Sequence, residues 1–193
     1  MSEIWFTSDT HLGHKKVAEL RGFEDTDEHD AFLAARWDKR VRDDDEVWVL
    51  GDIALGGWAT RIEWFAQRPG IKHLVLGNHD RAHPLNKNAH DHLRYFLDYF
   101  KTVQTIANVR YKGGVYLSSH FPYDGEGATR EDAEQRHTQW RPRDEGATLF
   151  HGHVHDSVKF RRSQAGSPMV HVGLDAWNLS PVNINDAIGA IKE

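Results

Sequence analysis

Apolar residues in this chain come in six short runs, and each run ends in a polar cluster. They are EIWFTSDTH (3–11), DEVWVLGD (45–52), IKHLVLGNHD (71–80), GGVYLSSH (113–120), ATLFHGHVH (147–155) and PMVHVGLD (168–175). Runs this short, rich in Val, Ile, Leu, Phe and Trp and flanked by Gly or polar residues, predict largely buried strands. Between them the spacing turns helical. DEHDAFLAARWDKRV (27–41) groups Phe32, Leu33, Ala35, Trp37 and Val41 on one face, and WATRIEWFAQR (58–68) groups Ile62, Phe65 and Ala66. HDHLRYFLDYF (90–100) groups Leu93, Phe96, Leu97 and Phe100, and a further helix begins near residue 13. Strand and helix alternate up to about residue 102 and strands dominate afterwards, which predicts an α/β class. In such folds ligands gather outside the carboxyl ends of strands, where these polar clusters sit.

Length and composition narrow the function classes. The 193 residues suit a single domain spanning 1–193, with a core of ordinary size. There is no cysteine, so disulfides, thiolate metal sites and cysteine nucleophiles are excluded, and any metal must take N and O ligands. The start MSEIWFTSD has no basic region followed by a sustained apolar stretch, and no run approaches a membrane span, so a cytoplasmic location is expected, in a bacterial cell or a phage-infected one. A formal net charge of −5 argues against broad nucleic-acid binding. RPR (141–143) and KFRR (159–162) read as a solvated loop and a strand end, although either could touch a phosphate. Nothing in the pattern fixes an oligomeric state.

The strand ends carry the candidate chemistry: Asp9 and His11, Asp52, Asn78, His79 and Asp80, His120, and His153 with His155. Singly, each has an ordinary explanation as a turn, a cap or a hydrogen-bonded loop residue. Together, carboxylates, an amide and imidazoles form a borderline-hard N/O donor set suited to Mn, Fe, Zn, Ni or Co. His151, His153 and His155 alternate, which in a flat strand would put all three on one face. Gly152, however, permits a tight bend between them.

The blocks DTH, GD, GNHD, SSH and GHVH, in this order over residues 9–155, resemble the calcineurin-like metallophosphoesterase superfamily. FTSDTHLGH and HFPY are similar to its small stand-alone bacterial and phage members. The resemblance implies a four-layer β-sandwich of two mixed sheets flanked by helices, and a dinuclear centre for two divalent transition metal ions, manganese first among them. It assigns Asp9, His11 and His155 to the first metal, Asn78, His120 and His153 to the second, and Asp52 to both. It leaves His151 without a role. It implies hydrolysis of a phosphate ester by a metal-bridging hydroxide, with His79 catalytic at the scissile phosphate and Asp80 supporting it by orienting a histidine or a turn. Two carboxylates leave such a centre positive inside an acidic protein, which suits a small phosphate ester or nucleotide. His14 and Tyr123 are weaker candidates for substrate contact. Asp175 and Trp177, in GLDAW, read as core packing.

One departure bears on the substrate. The protein Ser/Thr phosphatase branch carries GDxxDRG, whereas this chain reads GDIALGG, with Leu55 and Gly56 where that branch has Asp and Arg. Loss of that arginine removes a bidentate clamp on a dianionic monoester and favours small or terminal phosphodiesters, cyclic nucleotides among them. A phosphomonoesterase using the same centre, or a catalytically silent metal-binding module, is the alternative. The pocket wall is expected from 81–100 and 121–146.

Overall fold

The computed structural model describes residues 2–127 and 134–192. All six apolar runs are strands. In chain order, β1 (Ile4–Thr7), β2 (Glu46–Val49) and β3 (Ile71–Val75) come from the first three, with α1 (Lys15–Leu20), α2 (Thr26–Asp38) and α3 (Trp58–Arg61) between them. There follow α4 (Ala89–Phe96), β4 (Thr102–Gln104), β5 (Ile106–Tyr111), β6 (Gly114–Ser119), β7 (Leu149–His151), β8 (Phe160–Arg162), β9 (Pro168–His171), β10 (Val182–Asn183) and α5 (Ile184–Gly189).

The strands form the two mixed sheets expected, each of five strands, in the orders β10-β1-β2-β3-β4 and β5-β6-β7-β9-β8. In the first sheet β1 to β4 run parallel and only β10 is antiparallel. Its strands are buried on both faces, which explains their near-continuous apolar sequence. Trp5, Val47, Val49 and Leu74 turn toward the helices, joining Leu33, Trp37, Ile62, Phe65, Phe96 and Phe100. Their neighbours Phe6, Leu50 and Val75 turn the other way and meet Ala107, Phe150 and Val170 of the second sheet. Phe6 and Phe150 meet edge to face across that interface, with ring centroids 4.9 Å apart. The far side of the second sheet is covered by loop, where Tyr123 packs on Leu149 and Met169.

The helices depart from expectation in their buried faces. In α2 the buried positions are His29, Asp30, Leu33 and Trp37, while Phe32 and Ala35 are exposed. Asp30 is kept inside because it accepts from Gly13 N–H and from Arg61. In the third helical segment Phe96 and Phe100 are buried but Leu93 and Leu97 lie at the surface. The 58–68 segment is α-helical only to Arg61 and continues as a 3₁₀ turn over Ile62–Gln67. Pro69 ends it by holding Arg68 extended, at φ −97° and ψ 140°.

Candidate metal centre

Parallel pairing of β1, β2 and β3 aligns their carboxyl ends, so the loops after them start side by side. The carboxyl ends of β6 and β7, also parallel, meet these loops from the second sheet. This brings residues 9–11, 52, 78–80, 120 and 153–155 to one edge of the sandwich.

The loops are strained where they carry these residues. Asp9, His11, Asp52, His153 and His155 all have positive φ, between 46° and 73°. Such a conformation costs roughly 1–3 kcal/mol in a non-glycine residue and persists only where the surroundings enforce it. Hydrogen bonds enforce it here. Asp9 N–H donates to Gly51 O, His11 N–H to Asp52 O, and Ser8 Oγ to Leu50 O. His153 N–H donates to Asp9 Oδ2 at 3.0 Å, and Gly152 N–H to His120 O at 3.0 Å. The turn after β7 is therefore made by the two histidines themselves, not by a left-handed Gly152. Gly152 is needed for another reason: a Cβ there would overlap Ser8 and come within 2.6 Å of Asp9 Oδ2.

At the centre, two imidazole nitrogens face each other, His11 Nε2 and His155 Nε2, 3.0 Å apart. Asp9 Oδ1 lies 3.5 Å from His155 Nε2 and 3.9 Å from His11 Nε2. Asp52 Oδ2 lies 3.7 Å from His11 Nε2 and 3.4 Å from His120 Nε2. His120 Nε2 in turn is 3.2 Å from Asn78 Oδ1 and 3.3 Å from His153 Nδ1. Among the described residues, two groups have donor atoms all within 4.8 Å of one another: Asp9, His11 and His155, and Asp9, Asp52 and His120. Two buried carboxylates with imidazole nitrogens turned inward form the donor set a divalent cation takes. The structure thus brings together all seven residues expected as ligands.

Electrostatics report the same crowding. Burial works against charge on both partners of the Asp52–His120 pair, but their mutual attraction wins. It holds Asp52 well below the usual carboxylate range and pushes His120 up to about 9. Burial keeps His11 and His153 well below the ordinary imidazole value. The pairing favours the protonated form of His120 at neutral pH. Ligation needs neutral imidazole, so cation binding at this position is coupled to loss of that proton.

His79 sits at the rim, 43% exposed at its side chain, with Nε2 3.9 Å from Asp52 Oδ2. Its backbone N–H donates to Asp52 Oδ1 at 2.9 Å, and its ring is 5.6 Å from that of His11. His14 caps α1, accepting from Val17 N–H, and its ring stands 5.5 Å from His11. Asp80 is buried and accepts from the backbone N–H groups of Asp52, Ile53 and Gly77. Tyr123, expected at the pocket, is instead a core residue: it is buried under the second sheet and its hydroxyl donates to Ala147 O. His151 is buried against His171, the rings nearly parallel at 5.5 Å. Within the expected wall segment 121–146, residues 128–133 lie outside the described ones.

Sequence reasoning missed a ring of residues behind the cluster. Asp175, expected in the core, accepts a hydrogen bond from His155 Nδ1 at 3.1 Å and a two-pronged contact from Arg21. Arg21 also donates to Asp9 O. Glu126 lies behind His153, 3.5 Å from its Nε2, and is bound by Arg136 and Arg141. Asp175 did carry a signal, since it ends the last apolar run as Asp9 and Asp52 end theirs. Arg21 and Glu126 carried none.

Comparison with known proteins agrees with this geometry. The chain is 44% identical over 206 aligned positions to the gene 66 protein of Mycobacterium phage L5, covering 100% of this chain and 97% of that protein. It is 45% identical over 204 positions to the gene 66 protein of Mycobacterium phage D29, covering 100% and 99%. The solved structure of a protein of unknown function from Aquifex aeolicus shares the fold, with a TM-score of 0.70 at 19% identity over 98% of this chain and 99% of that one. The family model for calcineurin-like phosphoesterases matches residues 2–157, from β1 through both histidines of GHVH. The chain belongs to the calcineurin-like phosphoesterase family and is a metal-dependent phosphoesterase of that family.

Proposed function

We propose that this phosphoesterase acts on small or terminal phosphodiesters, cyclic nucleotides among them, with two divalent cations, manganese first. Asp9, His11 and His155 hold one cation, Asn78, His120 and His153 the other, and Asp52 is shared. When bound, the cations supply Lewis acidity to the phosphoryl group and acidify a water. The chain's own residues do the rest. Asp9 and Asp52 offset only part of the cations' charge, which leaves a local attraction for phosphate in an acidic protein. His79, anchored through its N–H on Asp52 and open to solvent at its ring, donates to the phosphoryl or leaving oxygen. His14, whose ring stands 5.5 Å from that of His11, contacts the substrate beyond it. With phage proteins as relatives, the cytoplasm of an infected cell is the proposed setting.

The diester reading rests on one observation at Gly56. This is where the protein phosphatase branch has its arginine, and here the backbone is packed so closely on Gly13 that any Cβ would overlap Gly13 O. No clamp for a second negative phosphate charge can stand there.

The test is hydrolysis of bis-nitrophenyl against mono-nitrophenyl phosphate by Mn²⁺-loaded protein. Diester should be preferred, Asp52→Asn should lose most activity, and His79→Ala should lose roughly 10²–10⁴-fold. Monoester preference overturns the diester reading. Unchanged activity in Asp52→Asn overturns the shared ligand. A protein that binds two Mn²⁺ yet is inert on both esters favours a silent binding module.

A further inference from the structure

The two histidines of GHVH use opposite ring nitrogens. His155 turns Nε2 toward His11 and Asp9 and leaves Nδ1 outward, while His153 turns Nδ1 toward His120 and leaves Nε2 outward. Each outward nitrogen meets a carboxylate from a distant part of the chain. His155 Nδ1 is 3.1 Å from Asp175 Oδ2. Among the described residues His153 Nε2 is buried without a hydrogen-bond partner, and Glu126 Oε2 lies 3.5 Å from it.

Both carboxylates are themselves fixed by arginine. Arg21, nearly fully buried, places Nε on Asp175 Oδ1 and Nη2 on Asp175 Oδ2, both at 2.9 Å. Glu126, with its side chain 1% exposed, receives Nε and Nη2 of Arg136 at 3.0 and 2.9 Å, and Arg141 Nη2 on its other oxygen. An ionised carboxylate only accepts, so a neutral imidazole facing one must carry its proton on that side and leave the other nitrogen's lone pair free. Outer-shell carboxylates fix the tautomer and ring orientation of metal-binding histidines in this way.

We infer that Asp175 and Glu126 are positioning residues that hold His155 as the Nδ1–H tautomer and His153 as the Nε2–H tautomer, so that neighbouring histidines of one strained turn serve two different cations. The inference rests on the ligand set proposed above. Arg21 and the Arg136–Arg141 pair hold each carboxylate beside its histidine. One turn two residues apart thereby acquires two distinct ligand geometries, which the backbone alone does not specify.

The test combines imidazole ¹⁵N–¹H NMR on metal-free protein with Mn²⁺ titration calorimetry. Wild type should show His155 protonated on Nδ1 and His153 on Nε2. The reverse tautomer at either histidine overturns the inference for that residue, and this readout needs no variant. Asp175→Ala should scramble the His155 tautomer, leave His153 unchanged and weaken one of two Mn²⁺ sites about 10–100-fold. Glu126→Gln should do the converse. Folded variants that keep wild-type tautomers and both Mn²⁺ affinities overturn the inference while leaving the ligand reading intact. A wild type that binds no Mn²⁺ overturns the ligand reading instead, and the tautomers then still decide the role of the two carboxylates.

Discussion

Asp80 grips the loop of Asp52 from behind. Its Oδ2 accepts the backbone N–H of Asp52 at 3.0 Å and of Gly77 at 2.7 Å, while Oδ1 accepts that of Ile53 at 3.0 Å. Burial, followed by the charge of Asp52, pushes the Asp80 carboxyl up to about 7. Removing the acceptor strands three backbone donors where water does not reach, at about 1–3 kcal/mol for each group left unsatisfied. Asp80→Ala should lower the stability of metal-free protein by about 3–5 kcal/mol in urea denaturation, and Asp80→Asn by less. A loss under about 1 kcal/mol would show that the loop is held by other means.

The close approach at Gly152 yields a second prediction. A methyl group there collides with Ser8 and the Asp9 carboxylate, so Gly152→Ala must displace the turn that carries His153 and His155. Overpacking of this kind costs about 1–3 kcal/mol. The variant should melt at lower temperature and lose Mn²⁺ affinity, measured by calorimetry. Gly166→Ala makes a useful comparison, because a Cβ at Gly166 meets nothing within 4 Å and only its φ of 92° opposes the change. Its metal affinity should stay at the wild-type level.

Metal binding should release a proton. With His120 pushed up to about 9 beside Asp52, the metal-free protein carries that proton at neutral pH and must give it up on ligation. Mn²⁺ affinity should therefore rise about tenfold per pH unit from pH 7 toward 9 and level off above it. Calorimetry in buffers of differing ionisation enthalpy counts the protons directly. A pH-independent affinity over that range would place no proton on His120.

Acid should destabilise the metal-free fold through a second pair. Burial pushes His151 and His171 down to about 4, against an ordinary value near 6.5. As pH falls below about 6.5 the unfolded chain binds protons that the folded one refuses, so stability declines between about pH 6.5 and 4 and is unaffected by these groups above it. For His151 alone the full change is on the order of 3 kcal/mol. The share due to His151, read as the difference between wild type and a His151→Phe variant at pH 8, 6.5 and 5, should change little in the first interval and show a marked loss in the second. His151→Phe should flatten the second interval if its bulk is accommodated beside His171.

Much of the site was legible because its information is local. A short apolar run followed by GD, NHD or GHVH specifies a buried strand and the polar loop at its carboxyl end, and parallel strands bring such ends to one edge whatever else the chain does. That is why the strand-end residues, from which the family resemblance picks seven ligands, could be read from the sequence and are found together. Burial of individual helix faces was less legible. Phe32, Leu93 and Leu97 have apolar spacing but lie at the surface, whereas the charged Asp30 lies inside because Gly13 and Arg61 satisfy it.

The residues behind the cluster were decided only by tertiary structure. Chain order suggests β8 beside β7, yet β9 pairs with β7 and β8 is pushed to the edge. That exchange sets the end of β9, and so Asp175, next to His155. Arg21, 154 positions from Asp175 in sequence, completes the contact from the α1 side. The same holds for Tyr123, whose place was fixed by which face of the second sheet its loop crosses. The sequence by itself determined which side chains stand at strand ends, because backbone geometry there is local. Which carboxylate and arginine stand behind each histidine depended on sheet order and loop path, and these are set by burial over the whole molecule rather than by any short stretch of it.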